Sequence, residues 1–232
     1  IDIARRHGVP ITARGGGTSQ AGQAIGAGLQ LDFSKHLNGV LEFQPDRRRV
    51  RVQPGIVLDE LNALLKPYGL TLPLDLSTSS RATIGGMICN NSSGTRSVVY
   101  GKTIDYVESL TVMLADGSVV VLDDTEPNTA AATAETLLAD CHETVLRLAS
   151  EHAEEIQRRY PKLLRRVGGY NLDQFTPGHD RPHNLSRMIV GSEGTLALVL
   201  EATLRLVPIP ARRSLLCVQF DDLLDALGAV PA

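Results

Sequence analysis

Two glycine-rich stretches constrain this chain more than any other feature: Arg14-Gly15-Gly16-Gly17-Thr18-Ser19 and Thr83-Ile84-Gly85-Gly86-Met87-Ile88-Cys89-Asn90-Asn91-Ser92-Ser93-Gly94. Both set glycines among small hydroxyl and amide side chains, where backbone N–H groups can approach a ligand without a Cβ in the way. Loops of this chemistry suit phosphate. The residues between them are too many for a single βαβ phosphate motif, so the spacing predicts two loops converging on one extended ligand, such as a diphosphate-linked dinucleotide.

Familiar nucleotide motifs do not account for the pattern. A Walker loop needs four residues between its first glycine and Gly-Lys, whereas six separate Gly94 from Gly101-Lys102-Thr103. Gly22, Gly26 and Gly28 miss the Gly-x-Gly-x-x-Gly spacing, so a Rossmann domain is not indicated. The 232 residues carry a net charge of −3, without the basic surplus of a nucleic-acid binder, and the arginines at 47–49 and 165–166 read as solvated faces. No apolar run approaches the about 18 residues of a transmembrane segment, and no signal peptide is visible. Cys89, Cys141 and Cys217 lie far apart without ligand spacing, which predicts no disulfide, no metal site and a reducing, cytoplasmic setting.

Taken in order, Ile1 to Gly8 reads as the last turns of a helix, whose uncapped start implies a missing preceding strand. Strands are predicted at 10–13, 28–33, 40–43 and 49–53. A helix then follows Pro54-Gly55, with Val57, Leu58, Leu61, Leu64 and Leu65 at the 3.6-residue period. A helix can start at about Ile84, and Ala115-Asp116-Gly117 predicts a hairpin between strands 107–114 and 118–122. Residues 124–187 read as a helical insertion, with helix across Ala130 to Ala139 and an apolar stripe of Leu138, Cys141, Val145, Leu148 and Ala149, ending before Pro161. Met188-Ile189-Val190 and a long strand from Leu196 to Val207 resume the sheet. Ser214 to Phe220 reads as a strand, and Asp221 caps a helix to Leu227. The fold class expected is α+β, two-lobed, with mixed or antiparallel sheets flanked by helices.

Several of these segments, in the same order, resemble the FAD-binding domain of FAD-linked oxidoreductases, the vanillyl-alcohol-oxidase or PCMH-type superfamily. They are Arg14–Ser19, Leu72-Pro73-Leu74-Asp75-Leu76, Thr83-Ile84-Gly85-Gly86, Asn91, Tyr100-Gly101, Leu114–Gly117, Gly169-Tyr170-Asn171-Leu172 and Val190-Gly191-Ser192-Glu193-Gly194-Thr195-Leu196. D-lactate, glycolate and D-2-hydroxyglutarate dehydrogenases are the most similar members. The length of 126–166 is similar to that of the large members fused to iron–sulfur modules. The chain departs from the family at Asn91-Ser92-Ser93-Gly94, where relatives carry Asn-Ala-Gly-Gly.

The resemblance implies a small lobe over 1–54, a larger lobe over 55–210, and the start of a truncated substrate-binding cap over 211–232. FAD would lie between the lobes, held without a covalent bond because Arg14 to Gln20 contains no histidine. By resemblance, Arg14, Gly15, Gly16, Gly17, Thr18 and Ser19 serve the pyrophosphate. Pro73, Asp75, Leu76, Ser77, Thr83, Gly85, Gly86, Asn90, Asn91, Gly94 and Gly101 follow the flavin, ribityl and phosphate portions. Val107, Gly191, Glu193, Gly194, Leu198 and Val199 sit near the adenosine half. The implied activity is oxidation of a 2-hydroxy acid by hydride transfer to flavin N5. Its electron acceptor would be a quinone, a cytochrome, an electron-transfer flavoprotein or a fused iron–sulfur module, in the cytoplasm or at the inner face of a membrane. Tyr170, Asn171, His179 and His183 are the candidate catalytic residues within these positions, and the principal catalytic groups are expected in the cap, leaving the fragment inactive alone. A non-catalytic electron-relay module and an enolpyruvyl-sugar-nucleotide reductase are the alternatives on the same fold.

Overall fold

In a computed structural model of the chain, residues 1–124, 136–179, 182–212 and 214–230 are described. Helix α1 (Asp2–His7) ends at Gly8, whose φ of 62° is the left-handed turn that lets the chain leave a helix. Strands β1 (Ile11–Arg14) and β2 (Leu29–Asp32) pair in parallel, and the loop from Gly15 to Gly28 connects them. Strands β3 (Val40–Gln44) and β4 (Arg49–Val52) form an antiparallel pair. Helix α2 (Leu58–Leu65) buries Leu58, Leu61 and Leu65, while Leu64, expected on the same stripe, is exposed. After β5 (Leu70–Thr71), helix α3 (Ile84–Asn90) starts where Thr83 Oγ1 accepts from the Gly86 N–H at 3.4 Å.

The next elements are α4 (Ser97–Tyr100) and the hairpin of β6 (Val107–Met113) with β7 (Val119–Leu122), closed over Ala115-Asp116-Gly117 as the sequence predicts. Helix α5 (Leu137–Glu151) is capped by Thr136. The expected helix over 130–135 lies outside the described residues. The helical run breaks at His152, and α6 (Ala153–Arg159) ends before Pro161. Then come α7 (Ser186–Ile189), β8 (Leu198–Arg205), β9 (Val207–Pro208) and α8 (Leu223–Gly228).

Strands β3, β4, β8, β6 and β7 form, in that order, one antiparallel five-stranded sheet. Val50, Val52, Leu110, Val112, Ala202 and Leu204 from this sheet share a single core with Leu58, Leu61 and Leu65 of α2 and Ile84, Met87 and Ile88 of α3. Each fully buried leucine or isoleucine there contributes about 1.5–3 kcal/mol. The architecture is α+β. Of the arginines at 47–49, Arg49 pairs with Glu108 at 2.6 Å, and nearby Arg51 pairs with Glu201 and Glu42 at 2.7 and 3.5 Å, partly exposed ion pairs of small individual worth.

Three expectations need correction. Met188-Ile189-Val190 is not a strand: Asn184 Oδ1 accepts from the Ser186 N–H at 2.8 Å and starts the turn of α7, and a three-residue apolar run cannot by itself distinguish strand from buried helix. The strand from 196 to 207 begins at Leu198 and breaks at Leu206, whose N–H bonds Arg48 O, so that β9 turns aside to pair with β5. Ser214 to Phe220 forms no strand among the described residues. Leu215, Leu216, Val218 and Phe220 are exposed with no ladder to join, and Asp222 rather than Asp221 caps α8. Strands β3 and β4, which precede residue 54, join the large sheet through the pairing of β4 with β8.

Candidate functional site

The two glycine-rich stretches meet. A Cβ on Gly15 would stand 2.0 Å from Thr83 Oγ1, and one on Gly16 would stand 2.0 Å from the carbonyl oxygen of Arg81. Further along, a Cβ on Gly85 would stand 2.6 Å from Pro54 Cβ, and one on Gly94 would stand 2.4 Å from the carbonyl oxygen of Asp75. The missing side chains therefore let the chain press close on neighbouring backbone at Arg81 and Asp75 and on side chains at Thr83 and Pro54, a different use from the ligand approach read from the sequence. Gly86 differs, since its nearest neighbour would be Thr83 Oγ1 at 3.3 Å, and its N–H is engaged by that same oxygen.

Beside this junction runs a groove of about 420 Å³, within the about 300–1,000 Å³ usual for small-molecule sites. One wall is the loop from Arg14 to Gln20, in which the amides of Gly15 to Ser19 donate to no partner among the described residues. Arg14 folds back on this loop, its guanidinium donating to Ala24 O at 3.1 Å, and Ser19 Oγ contacts Gln23. Leu76, Ser77, Thr83, Gly85 and Gly86 line the groove from the second stretch and the segment before it. Asn90, Glu193, Gly194 and Val199 complete the set of sequence-predicted residues that reach it.

On this far wall a hydrogen-bonded chain links two elements. Ser92 Oγ donates to Asn90 Oδ1 at 3.1 Å, and Asn90 Nδ2 donates to Glu193 Oε1 at 2.9 Å. The turn carrying Glu193 is itself docked on the end of α3, because Gly191 N–H bonds Ile88 O and Glu193 N–H bonds Cys89 O, both at 2.9 Å. Burial pushes the Cys89 thiol up to about 11, the Glu193 carboxylate adding to the rise and a hydrogen bond with the Gly194 backbone opposing it.

The other predicted residues hold the walls and do not line the groove. The Asp75 carboxylate accepts from Thr95 Oγ1 at 2.9 Å and Arg96 Nε at 3.2 Å. Asn91, at φ 51°, ends α3 and its Oδ1 accepts from Ile104 N–H at 3.1 Å. Pro73 is buried, Gly94 presses on Asp75, and Gly101 turns at φ 73° over Asp105. Val107 and Leu198 are strand residues, and Gly191 turns at φ 85° against Asn91 and Asn171. Sequence reasoning missed Gln20, Gln23, Phe33, Pro54, Thr78 and Val167. Gln20 and Thr78 simply continue predicted segments. Val167 carries no local signal: Lys102 Nζ bonds Arg166 O at 2.9 Å, and Arg166 pairs with Asp173 at 2.6 Å, which brings the insertion to the groove.

None of the four candidate catalytic residues lines the groove. Asn171 is buried, its Nδ2 donating to Arg187 O at 3.1 Å and Val190 O at 2.7 Å, so it clamps the 187–190 turn. Tyr170 shares a 2.8 Å hydrogen bond with Thr195 Oγ1. His183 is exposed with its ring 6.1 Å from that of Phe175, and His179 is half-buried. No helix among the described residues is long and apolar enough to cross a membrane.

The family described as the FAD binding domain matches residues 1–123. A D-2-hydroxyglutarate dehydrogenase of Pantoea ananatis is 40% identical over 226 residues, 95% of this chain and 22% of that protein. The glycolate oxidase subunit GlcD of Bacillus subtilis is 32% identical over 96% of this chain and 37% of its own length. The chain thus spans about a fifth to two-fifths of these relatives. Among solved structures, an alkyldihydroxyacetonephosphate synthase superposes at a TM-score of 0.59 with 21% identity, over 90% of this chain and 29% of that one, a likeness of fold. The groove suits FAD: five consecutive unpartnered amides and the Ser77, Thr78, Ser92 and Ser93 hydroxyls can satisfy a diphosphate and its sugars without buried countercharge. By motif order, by fold and by the chemistry of its groove, the chain belongs to the FAD binding domain family.

Proposed function

We propose that this chain is the FAD-holding part of a flavin-dependent dehydrogenase that oxidises a 2-hydroxy acid, with the cofactor held without a covalent bond. The observation that carries the reading is the row of free amides from Gly15 to Ser19 along a groove whose lining, apart from Arg14 and Glu193, is uncharged. When bound, FAD accepts the hydride that the substrate carbon loses. Gly15 to Ser19 hold the diphosphate, while Ser77, Thr78 and Asn90 fix the orientation of the remainder. The groove lining contains no histidine and no lysine, and a Cys89 thiol at about 11 is a poor base at neutral pH. In this reading the chain binds and orients the cofactor and the group that takes the hydroxyl proton comes from outside this lining, whose one carboxylate among the described residues, Glu193, is already engaged by Asn90 Nδ2 at 2.9 Å. The class of substrate rests on the named relatives, and the electron acceptor in this reading is a quinone, a cytochrome, an electron-transfer flavoprotein or an iron–sulfur module. The β1–β2 pair with its loop forms the small lobe, and the large sheet with α2 and α3 forms the other.

Absorbance of the purified protein after loading with FAD tests the binding, and acid precipitation tests its mode. Yellow colour released into the supernatant is expected, and colour retained in the washed pellet would refute non-covalent binding. Adding D-2-hydroxyglutarate, D-lactate and glycolate in turn, without oxygen, to the FAD-loaded full-length protein should bleach the flavin with at least one of them. No bleaching with any would refute the substrate class.

A further inference from the structure

Among the described residues of the insertion 124–187, Val167 is the one that lines the groove. Little apolar packing holds it there. Pro161 to Arg165 are exposed, Leu163 and Leu164 at 69% and 60%, and a Cβ on Gly168 or Gly169 would meet nothing within 4 Å. What fixes this stretch is polar, and it converges on the residue just before Val167. Arg166 Nη2 donates to both carboxylate oxygens of Asp173, at 2.6 and 2.7 Å, and its guanidinium carbon lies 4.7 Å from the centre of the Tyr160 ring. The Arg166 carbonyl accepts from Lys102 Nζ at 2.9 Å. Lys102 in turn forms a backbone bridge with Ser93, which lines the groove, so the anchor is joined to the groove wall. The ends of the loop are tied as well, because Tyr160 OH donates to Tyr170 O at 3.0 Å. The Arg166 side chain is only 13% exposed, and a guanidinium so far withdrawn from water is costly to leave unpaired, which favours the closed arrangement.

We propose that Arg166 is a positioning residue, which with Asp173, Tyr160 and Lys102 latches the loop 160–170 so that Val167 covers bound FAD and slows its departure. This rests on the FAD reading above and adds to it a role for the insertion. Segments distant in the chain meet at one guanidinium and its carbonyl, so breaking any of these contacts loosens the same loop. The Val167 side chain offers no hydrogen bond. Its contribution is the exclusion of water from the ligand, which lasts only while the loop is held. The effect therefore falls mainly on the rate of release.

The test is the rate at which FAD leaves the loaded full-length protein, read as the change in flavin fluorescence after dilution, with hydrogen exchange of the 160–170 peptide followed on the same samples. In wild type that peptide should be better protected with FAD bound than without it. Arg166→Gln removes the charge that Asp173 pairs with and should speed release by about tenfold, the loss of one hydrogen bond to a charged group. Val167→Ala leaves the latch intact and should also speed release, while the loop of its apoprotein exchanges as in wild type. The double variant Arg166→Gln/Val167→Ala should release FAD no faster than the faster single variant, because Arg166 acts through Val167. An arginine serving the fold alone would instead give rates that multiply. Where Arg166→Gln does not fold, Lys102→Met, which removes the donor to the Arg166 carbonyl, carries the same expectations. Release within twofold of wild type in the folded variants, or multiplied rates in the double variant, would overturn the latch while leaving FAD binding intact. Wild-type protein that binds no FAD would overturn the cofactor reading, and this proposal with it.

Discussion

Gly16→Ala tests whether the loop from Arg14 to Ser19 is held in place by the contact between the two glycine-rich stretches. The added Cβ would sit 2.0 Å from the Arg81 carbonyl oxygen and 3.0 Å from its carbon, about 1.4 Å inside ordinary van der Waals contact at 3.4 Å. That oxygen cannot swing aside as a side chain would, because Arg81 N–H and Ala82 N–H both bond Thr78 O at 2.8 Å and fix the turn. The loop itself must move by about an ångström. Overpacking of this kind costs about 1–3 kcal/mol, and the displaced amides would no longer converge on one diphosphate. If the whole strain falls on binding, affinity for FAD drops by about fivefold to 150-fold. Fluorescence titration with FAD measures the loss, and circular dichroism checks that the fold persists. Gly168→Ala is the control, since a Cβ there meets nothing within 4 Å. A Gly16→Ala protein that binds FAD as tightly as the Gly168→Ala control would refute the reasoning.

Gly86→Val keeps α3 in register but places a branched side chain on the groove wall, and it should abolish flavin absorbance in the purified protein while circular dichroism is retained. With its thiol at about 11, Cys89 is ionised to roughly a thousandth at pH 8, so it should alkylate far more slowly than exposed Cys217, and mass mapping of iodoacetamide adducts would show equal labelling if this is wrong. Asn171→Ala removes the amide that donates to the Arg187 and Val190 carbonyls and should cost about 1–3 kcal/mol in urea unfolding, with an unchanged midpoint as the contrary result.

What the sequence determined by itself is what short-range chemistry can specify. Thr83 before Ile84 starts α3, Gly8 ends α1 in the left-handed region, and Ala115-Asp116-Gly117 closes a hairpin, each through bonds between near neighbours. The ordered set of glycine motifs identified the cofactor family, and fifteen of the predicted binding residues line the groove. The structure decided what depends on residues far apart in the chain. Whether a glycine faces a ligand or another backbone depends on what lies across from it, which is why Gly16 meets Arg81 while Gly86 stands open. A three-residue apolar run became α7 because Asn184 was there to start it. The Asn90–Glu193 contact and the approach of Val167 join segments with no local signature in common, since such hydrogen bonds and ion pairs depend on residues far apart in the chain being brought together by the fold.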